Sequence, residues 1–372
     1  MPIPAEFNRS IRIEATDCRT ALGDARATCA ALLSGQRALQ LQPVLAREGG
    51  DLVPLATLPG RSLDETNPPN WLPALDALHA EIPADTWGSP RRPVFVTSSN
   101  FGVGSLYAFQ RTRASGHLGH GTPADCVELV RKRFGWGENV AAVSHACVSA
   151  HLGLELATRE LRAGLADRAL VFSFDFVSPF VAGGFHALKI LNGEFPAPYV
   201  ARANGSIGLG DGAAFAVLTN DRGDFDLSDQ SLYNEMHHFT ANRADGAGFA
   251  ACLAPFARAL EGRRLWVKGH GTGTLEAGRL EAETLARLFP GAPLVSWKGS
   301  LGHTLGSSGL VELALAVESL RNGHTPGTVG SQGPFFTDTV AAGSFANGSY
   351  DGALLVSNAF GGAHAACWLS HA

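Results

Sequence analysis

The length, composition and charge of the chain indicate a globular protein with a large core. At 372 residues, of which 45% are hydrophobic, the chain exceeds the length at which single cores stop growing, so two domains or two fused halves are expected. Acidic residues outnumber Lys and Arg by 34 to 29, which argues against broad nucleic-acid binding. Neither a membrane-span-length apolar run nor a signal-peptide core is found, and a cytoplasmic location is therefore expected.

The first half of the chain alternates short apolar runs with helical periodicity. Between the predicted strands, residues 47–92 are rich in Pro, Asp and Leu and are predicted to form a cap over the core. The run at 140–144 is interpreted as a buried strand, and the apolar spacing from Leu152 to Leu161 predicts a helix that ends at Gly164. The predicted strands are 11–15, 94–98, 140–144, 170–176 and 213–218.

The second half follows the same rhythm. Residues 221–248 are predicted to be a polar connection between the halves. Strands that alternate with helices indicate an α/β architecture in which helices cover both faces of the sheet. The predicted strands of this half are 264–269, 294–296, 354–357 and 365–368.

Cys147 lies where the strand at 140–144 gives way to a helix. At a helix N-terminus, unpaired N–H groups and the helix dipole favour the thiolate, which is the reactive form of cysteine. Taken alone, a cysteine in an apolar region is more often a buried structural residue. The six cysteines show no CxxC pairing and no histidine pair has zinc-site spacing, so no disulfide scaffold and no metal is expected.

Two histidines lie in glycine-rich segments that follow apolar runs. His270 opens the sequence His-Gly-Thr-Gly-Thr, where glycine backbone would let a long substrate arm approach and the hydroxyls of Thr272 and Thr274 would hydrogen-bond its amides. Lys298 and His303 flank a turn before another apolar helix. Each histidine alone is more often a satisfied polar residue, but one cysteine with two such histidines indicates a covalent-catalysis site.

These motifs make the chain resemble the elongating β-ketoacyl-ACP synthases of the thiolase superfamily, where ACP is the acyl carrier protein. The order Cys147, His270, His303 with its local motifs is the most specific part of the resemblance. It implies a thiolase-like α/β fold in five layers, α-β-α-β-α, with two similar halves: 1–220, which carries the nucleophile and the cap, and 221–372, which carries both histidines. Other matching segments are 21–23, 32–35, 184–191, 203–213, Glu281, Gly306 and 360–362.

The resemblance also implies a reaction, the elongation of a fatty acid or a polyketide, including a polyene. Cys147 would hold the growing acyl chain as a thioester. His270 and His303 would hold the thioester carbonyl of malonyl-ACP while carbon dioxide leaves and the enolate attacks the acyl group. The backbone N–H groups of Cys147 and Phe360 would form the oxyanion hole, and the Phe360 side chain would gate the acyl pocket. The phosphopantetheine arm arrives on ACP, so no tightly bound cofactor is implied.

Supporting residues and departures follow from the same resemblance. Lys298 would order the site through Glu312. Asp211 would support the site where the family usually has glutamate, and Gly278 replaces a common acidic residue. Residues 357–359, Ser-Asn-Ala, stand where Ser-Phe-Gly is usual before the gate, which predicts an altered gate movement.

The partners expected are ACP and a second synthase-like chain, as a homodimer or a heterodimer. One alternative is that this chain is the non-condensing partner, a chain-length-factor-like subunit, although such subunits have usually lost the cysteine that is present here. A coenzyme A-dependent thiolase fits less well because 302–304 resembles the carrier-dependent motif, and a cysteine hydrolase lacks its local signatures. Candidate docking residues for an acidic carrier are Arg111, Arg113, Arg131, Lys132, Arg133, Arg263 and Arg264.

Overall fold

The computed structural model describes residues 11–44, 50–202, 205–238 and 241–372, so parts of the expected cap and of the 203–213 segment lie outside the described residues. No helix in these ranges is long and apolar enough to span a membrane. The strands are β1 (Arg12–Thr20), β2 (Gln40–Pro43), β3 (Leu52–Ala56), β4 (Val94–Thr97), β5 (Val140–Val143), β6 (Arg168–Asp175), β7 (Leu209–Gly210), β8 (Gly212–Thr219), β9 (Phe225–Asn234), β10 (Leu265–Lys268), β11 (Leu294–Val295), β12 (His324–Thr325), β13 (Phe345–Ala346), β14 (Gly352–Ala359) and β15 (Ala363–His371). The α-helices are α1 (Ala25–Leu33), α2 (Leu72–His79), α3 (Val103–Thr112), α4 (Pro123–Phe134), α5 (Ser149–Arg162), α6 (Pro179–Ala187), α7 (Ala247–Ala259), α8 (Leu275–Leu288), α9 (Lys298–Leu301) and α10 (Ser308–Asn322).

The main sheet consists of two groups of strands with the same order. The first group runs β5-β4-β6-β8-β1 and the second runs β11-β10-β14-β15-β9. In the first group, β4 pairs parallel with β5 and β6, and β8 pairs antiparallel with β6 and β1. In the second group, β10 pairs parallel with β11 and β14, and β15 pairs antiparallel with β14 and β9. The groups join where β1 pairs with β9. We propose that they are the halves expected at 1–220 and 221–372, because the chain crosses from one to the other between β8 and β9.

Helices form three layers around these two groups. Between the groups, α10 contacts β1, β8 and β14, while α5 contacts β4 and β6 on one side and β9 and β15 on the other. Outside the first group, α2 contacts β1 and β8, and α4 contacts β5. Outside the second group, α7 contacts β9 and β15 and packs against α8. The order α-β-α-β-α confirms the predicted fold class.

Strand β8 shows how the sequence builds these layers. Its alternate residues Ala214 and Ala216 join the core around α5 and α10, whereas Phe215 and Val217 join the core beneath α2 and α4. A strand that is buried on both faces is apolar throughout, which is why it could be predicted as a continuous run. Helix α10 is buried around most of its circumference, as expected for a helix at the centre of a protein.

Two predictions of local structure are wrong. The supposed polar connection at 221–248 contains β9, whose residues Phe225 and Leu227 are buried. Backbone hydrogen bonds to β1 and β15 hold this strand in place. Many of its side chains can therefore be polar. The supposedly buried strand β5 lies at the edge of the sheet, and its Ala141 and Ala142 are exposed.

The segment predicted as a cap is tied into the core. Helix α2 buries Leu72, Leu75 and Leu78 against the first group of strands. Downstream of β3, the buried Arg61 guanidinium donates to both oxygens of Asp211, with Nε–Oδ2 and Nη2–Oδ1 distances of 2.7 and 2.8 Å. The segment therefore forms an outer layer of the fold in addition to any covering role.

Candidate active site

A strained turn presents Cys147 between β5 and α5. The residue before it, Ala146, has a φ of +46°, a left-handed conformation that non-glycine residues rarely adopt. The Ser149 hydroxyl stabilises the turn: it accepts from the His145 N–H at 2.8 Å and donates to the Ala146 carbonyl at 2.6 Å. The turn leaves Cys147 half-buried two residues before the helix, whereas the other five cysteines are buried free thiols.

The surroundings of Cys147 favour the thiol over the thiolate. Burial raises the pKa of the Cys147 thiol to about 12, and the nearby Asp175 adds to the rise. The charge of Lys298 and hydrogen bonds from the backbone N–H groups of Cys147 and Phe360 lower the pKa. The expected stabilisation of the thiolate at the helix N-terminus is therefore outweighed by the loss of solvation.

His270 follows β10 and is held through its backbone by Glu281 of α8. The Glu281 carboxylate accepts from the N–H groups of His270 and Gly271 at 2.5 and 2.9 Å, and from the Tyr199 hydroxyl at 3.2 Å. This clamp fixes the loop without engaging the imidazole. Within the described structure, Nδ1 of His270 is buried and has no hydrogen-bond partner.

His303 follows α9 and faces His270. Their ring centroids are 5.0 Å apart and their planes are nearly perpendicular, at 89°. His303 Nδ1 hydrogen-bonds with Ser308 Oγ at 2.9 Å, while its Nε2 is buried with no hydrogen-bond partner among the described residues. Burial and the charge of Lys298 lower the pKa of both imidazoles well below the ordinary value, so both are neutral near pH 7.

Lys298 and Glu312 form the predicted ion pair, with 2.5 Å between Nζ and Oε1. A second lysine, Lys268, contacts the same Glu312 oxygen. The side chains of all three residues are almost fully buried. Lys268 was not predicted from the sequence. Its available signal was the position of a charged residue directly after the apolar residues 265–267 and two positions before His270.

The glycine-threonine loop after His270 is packed against protein. A Cβ placed at Gly271 would lie 2.6 Å from Ser296 Cβ, and one at Gly273 would lie 2.5 Å from the Ser206 carbonyl oxygen. Glycine is therefore required at both positions by the close packing of neighbouring segments, and room for a substrate arm stays a prediction. Thr272 and Thr274 are half-buried with their hydroxyl oxygens 3.4 Å apart, and pantetheine binding by them stays a prediction.

Phe360 follows β14 and is partly exposed, with 39% of its surface accessible. Its ring stacks on Phe185 of α6, with 5.9 Å between centroids. The preceding hinge is buttressed from β15, where the buried His364 hydrogen-bonds through Nδ1 with Asn358 Oδ1 at 2.7 Å. Nε2 of His364 lies 3.6 Å from the Glu235 carboxylate. The unusual Asn358 thus has a partner that holds the hinge.

The structure places the remaining sequence-selected residues away from this cluster. Asp211 is bound to Arg61 and accepts from the N–H groups of Leu58 and Val177, so its support is for the packing of the outer layer. Gly278 lies inside α8. Among the docking candidates, Arg263 and Arg264 are exposed. Four others form ion pairs with carboxylates: Arg111–Asp64, Arg131–Glu128, Lys132–Glu128 and Arg133–Asp76.

Comparison with solved structures defines the class as a thiolase fold. A chain in the structure of a type II polyketide acyl carrier protein in complex with its ketosynthase matches with a TM-score of 0.83 and 16% identity, covering 98% of this chain and 100% of that one. A chain in the complex of a ketosynthase with its chain length factor from Xenorhabdus doucetiae matches with a TM-score of 0.77 and 20% identity, covering all of both chains.

Sequence comparison finds similarity over part of the chain. Residues 232–332 match the family described as Beta-ketoacyl synthase, C-terminal domain. A putative polyketide beta-ketoacyl synthase 1 of Streptomyces halstedii is 28% identical over 62% of this chain and 60% of its own length. The 3-oxoacyl-(acyl-carrier-protein) synthase 2 of Coxiella burnetii is 25% identical over 60% of this chain and 63% of its own. The chain thus spans less than two thirds of the length of either relative. Over the matched parts, the chain is similar to β-ketoacyl synthases.

Proposed function

We propose that the protein is an active β-ketoacyl-ACP synthase that elongates fatty acid or polyketide chains by decarboxylative condensation. The observation that carries this proposal is the perpendicular pair of imidazoles, His270 and His303. Nε2 of His303 has no hydrogen-bond partner among the described residues. The charge of Lys298 acts on both imidazoles and on Cys147. Two neutral imidazoles can donate hydrogen bonds to one carbonyl oxygen. A cysteine at the same site can hold the second substrate covalently.

In the first half-reaction, the Cys147 sulfur attacks the thioester carbonyl of acyl-ACP. The carbon–sulfur bond to phosphopantetheine breaks, and the proton lost by Cys147 goes to the departing carrier thiol. The high pKa of Cys147 makes this proton transfer part of the barrier. The N–H groups of Cys147 and Phe360 are the proposed donors to the tetrahedral oxyanion, and one such donor is worth roughly 3–4 kcal/mol.

In the second half-reaction, the bond between the malonyl carboxylate and the α-carbon breaks. Its electron pair forms an enolate, whose oxygen is held by His270 and His303, and carbon dioxide leaves. The enolate carbon attacks acyl-Cys147, and collapse of the tetrahedral intermediate returns the thiol after protonation. Thr272 and Thr274 would bind the pantetheine arm, and no tightly bound cofactor takes part in these steps.

A second candidate is a chain-length-factor-like subunit that pairs with a separate condensing enzyme. The structural likeness to chains in ketosynthase–chain length factor complexes favours it. The retained Cys147, His270, His303 and Lys298 favour the active enzyme.

The proposed partners are ACP and a second synthase-like chain, in a homodimer or a heterodimer. The exposed edge of β5 supports such an association, because an unpaired strand edge readily pairs with another chain. A cytoplasmic location remains part of the proposal.

Intact-protein mass spectrometry tests the function directly. The protein is incubated with ACP carrying acyl groups of several lengths, alongside Cys147→Ala. We expect an acyl adduct on the wild type and none on the variant, and the preferred chain length narrows the substrate. If the wild type forms no adduct with any acyl group and co-purifies with a second synthase-like subunit, this chain is the non-condensing partner.

A further inference from the structure

Two of the four lysines in the chain meet on one buried carboxylate. The four are Lys132, Lys189, Lys268 and Lys298, and basic positions elsewhere are arginine. Lys268 is fully buried, and its ammonium shares Oε1 of Glu312 with Lys298. One carboxylate balances one ammonium, so this cluster has an excess positive charge whenever both lysines are protonated. A buried excess charge acts strongly on its neighbours because solvent does not screen it.

The groups that face the cluster include both histidines of the site. The charge of Lys268 acts on His270 and His303, and also on His151 of α5. Glu281 of α8 is the other carboxylate nearby, and it is occupied by backbone N–H groups and Tyr199. On β15, Cys367 lies near Glu312. The excess charge therefore bears mainly on imidazoles.

We propose that Lys268 is a second positioning lysine of the site, which shares Glu312 with Lys298 and adds to the burial and the Lys298 charge that keep His270 and His303 uncharged as hydrogen-bond donors. The role rests on the proposed function, because neutral imidazoles are what the malonyl thioester requires. Lys298 and Glu312 together carry no net charge. Lys268 supplies the charge that Glu312 leaves uncompensated.

The charge of Lys268 opposes protonation of the two imidazoles, as this role requires. Burial lowers the pKa of Lys268 to about 7, with Glu312 opposing and Lys298 adding to the decrease. As the pH falls through this value, the proton enters Lys268, and its new charge then resists protonation of the imidazoles. Above this value Lys268 is neutral, and the histidines need no protection. The lysine is thus charged on the acid side of neutral pH, where its charge opposes the uptake of protons by the histidines.

NMR titration of the full-length protein, labelled at histidine and at the lysine ε-carbon, tests this without any substrate. In the wild type, the Lys268 signal is expected to titrate near neutral pH. Lys268→Met keeps the side-chain length and leaves Lys298 on Glu312, so the site stays paired. We expect this variant to raise the protonation midpoints of His270 and His303 by about one pH unit. Lys132→Met removes an exposed lysine and is the matched control.

Two results would overturn the proposal: a Lys268 that stays charged far above neutral pH, or histidine midpoints that coincide in Lys268→Met and wild type. Lys268→Gln is the second variant if Lys268→Met does not fold. In an active enzyme, the acid limb of malonyl-ACP decarboxylation should also move to higher pH in Lys268→Met. If the midpoints shift but no decarboxylation occurs in the wild type, only the proposed function fails.

Discussion

The charges at the site belong to a few buried side chains, and the balance among them sets the protonation of the reacting groups. Cys147 is protonated because burial outweighs the effects of Lys298 and two N–H groups. His270 and His303 are neutral because burial and Lys298 act in the same direction. The proposed nucleophile and the two proposed hydrogen-bond donors are therefore uncharged near pH 7. The site responds to pH through these groups and through Lys268.

The reactivity of Cys147 should depend steeply on pH. With its pKa raised to about 12, the thiolate fraction grows about tenfold per pH unit across the neutral and mildly alkaline range. The rate of alkylation by iodoacetamide, followed by mass spectrometry with Cys147→Ala as control, should rise without a plateau up to about pH 10. A plateau near pH 8 would show that the thiolate is far better stabilised than its burial implies.

Glu312→Gln should destabilise the protein in a pH-dependent way. Breaking a buried ion pair typically costs about 3–5 kcal/mol, because the remaining charge is left uncompensated. Lys268 can relieve this cost by losing its proton, so the loss in free energy of unfolding should be smaller at pH 9 than at pH 6. Urea unfolding at the two pH values measures the difference, and Lys268→Met/Glu312→Gln should recover part of the loss at pH 6. Equal losses at both pH values would contradict the argument.

Among the structural elements, the β14–β15 hairpin carries Phe360, the proposed gate. Asn358 and His364 are cross-strand partners, and their side chains hydrogen-bond with each other. Gly361 and Gly362, with φ of +87° and +71°, turn the chain after Phe360. The segment before Phe360 is thus fixed on one side by a buried histidine.

Asn358→Ala should loosen this hairpin. The change leaves Nδ1 of the buried His364 without its partner, which costs about 1–3 kcal/mol. Amide hydrogen exchange at 358–364 should become faster, while exchange in the distant helix α4 stays unchanged and serves as the internal control. Unchanged exchange in the hairpin would mean that His364 does not hold the gate.

The sequence predicted the elements that are buried on both faces and the residues that carry a family motif. Strand β8 was visible because both of its faces lie in the core. Strand β9 was not visible, because it is held by backbone pairing on both sides and contains many polar residues. In the site, Cys147, His270 and His303 follow from motifs, whereas Lys268 is placed by the meeting of β10, α9 and α10, which no local pattern encodes. The Asp211–Arg61 pair joins positions 150 residues apart and was equally invisible.

At the scale of the whole molecule, the repeated strand order leaves β5 at one edge of the sheet, with exposed Ala141 and Ala142. Small side chains allow another backbone to approach closely. Ala142→Arg should therefore lower the mass measured by light scattering toward that of a single chain. Ala259→Arg, at the exposed end of α7, is the matched control and should leave the mass unchanged. A wild type that is already monomeric, or a variant that keeps the larger mass, would remove β5 as the interface.

The central position of α10 has a consequence for synthesis on the ribosome. This helix, residues 308–322, covers β1 and β8, which are made long before it. The part of β1 and β8 that α10 covers therefore lacks this cover until residues 308–322 emerge, and long-range contacts of this kind slow folding. Cys147 is translated more than a hundred residues before either histidine. The nascent chain thus carries its thiol through a long period in which a chaperone would have an apolar surface to bind and no assembled site would yet exist.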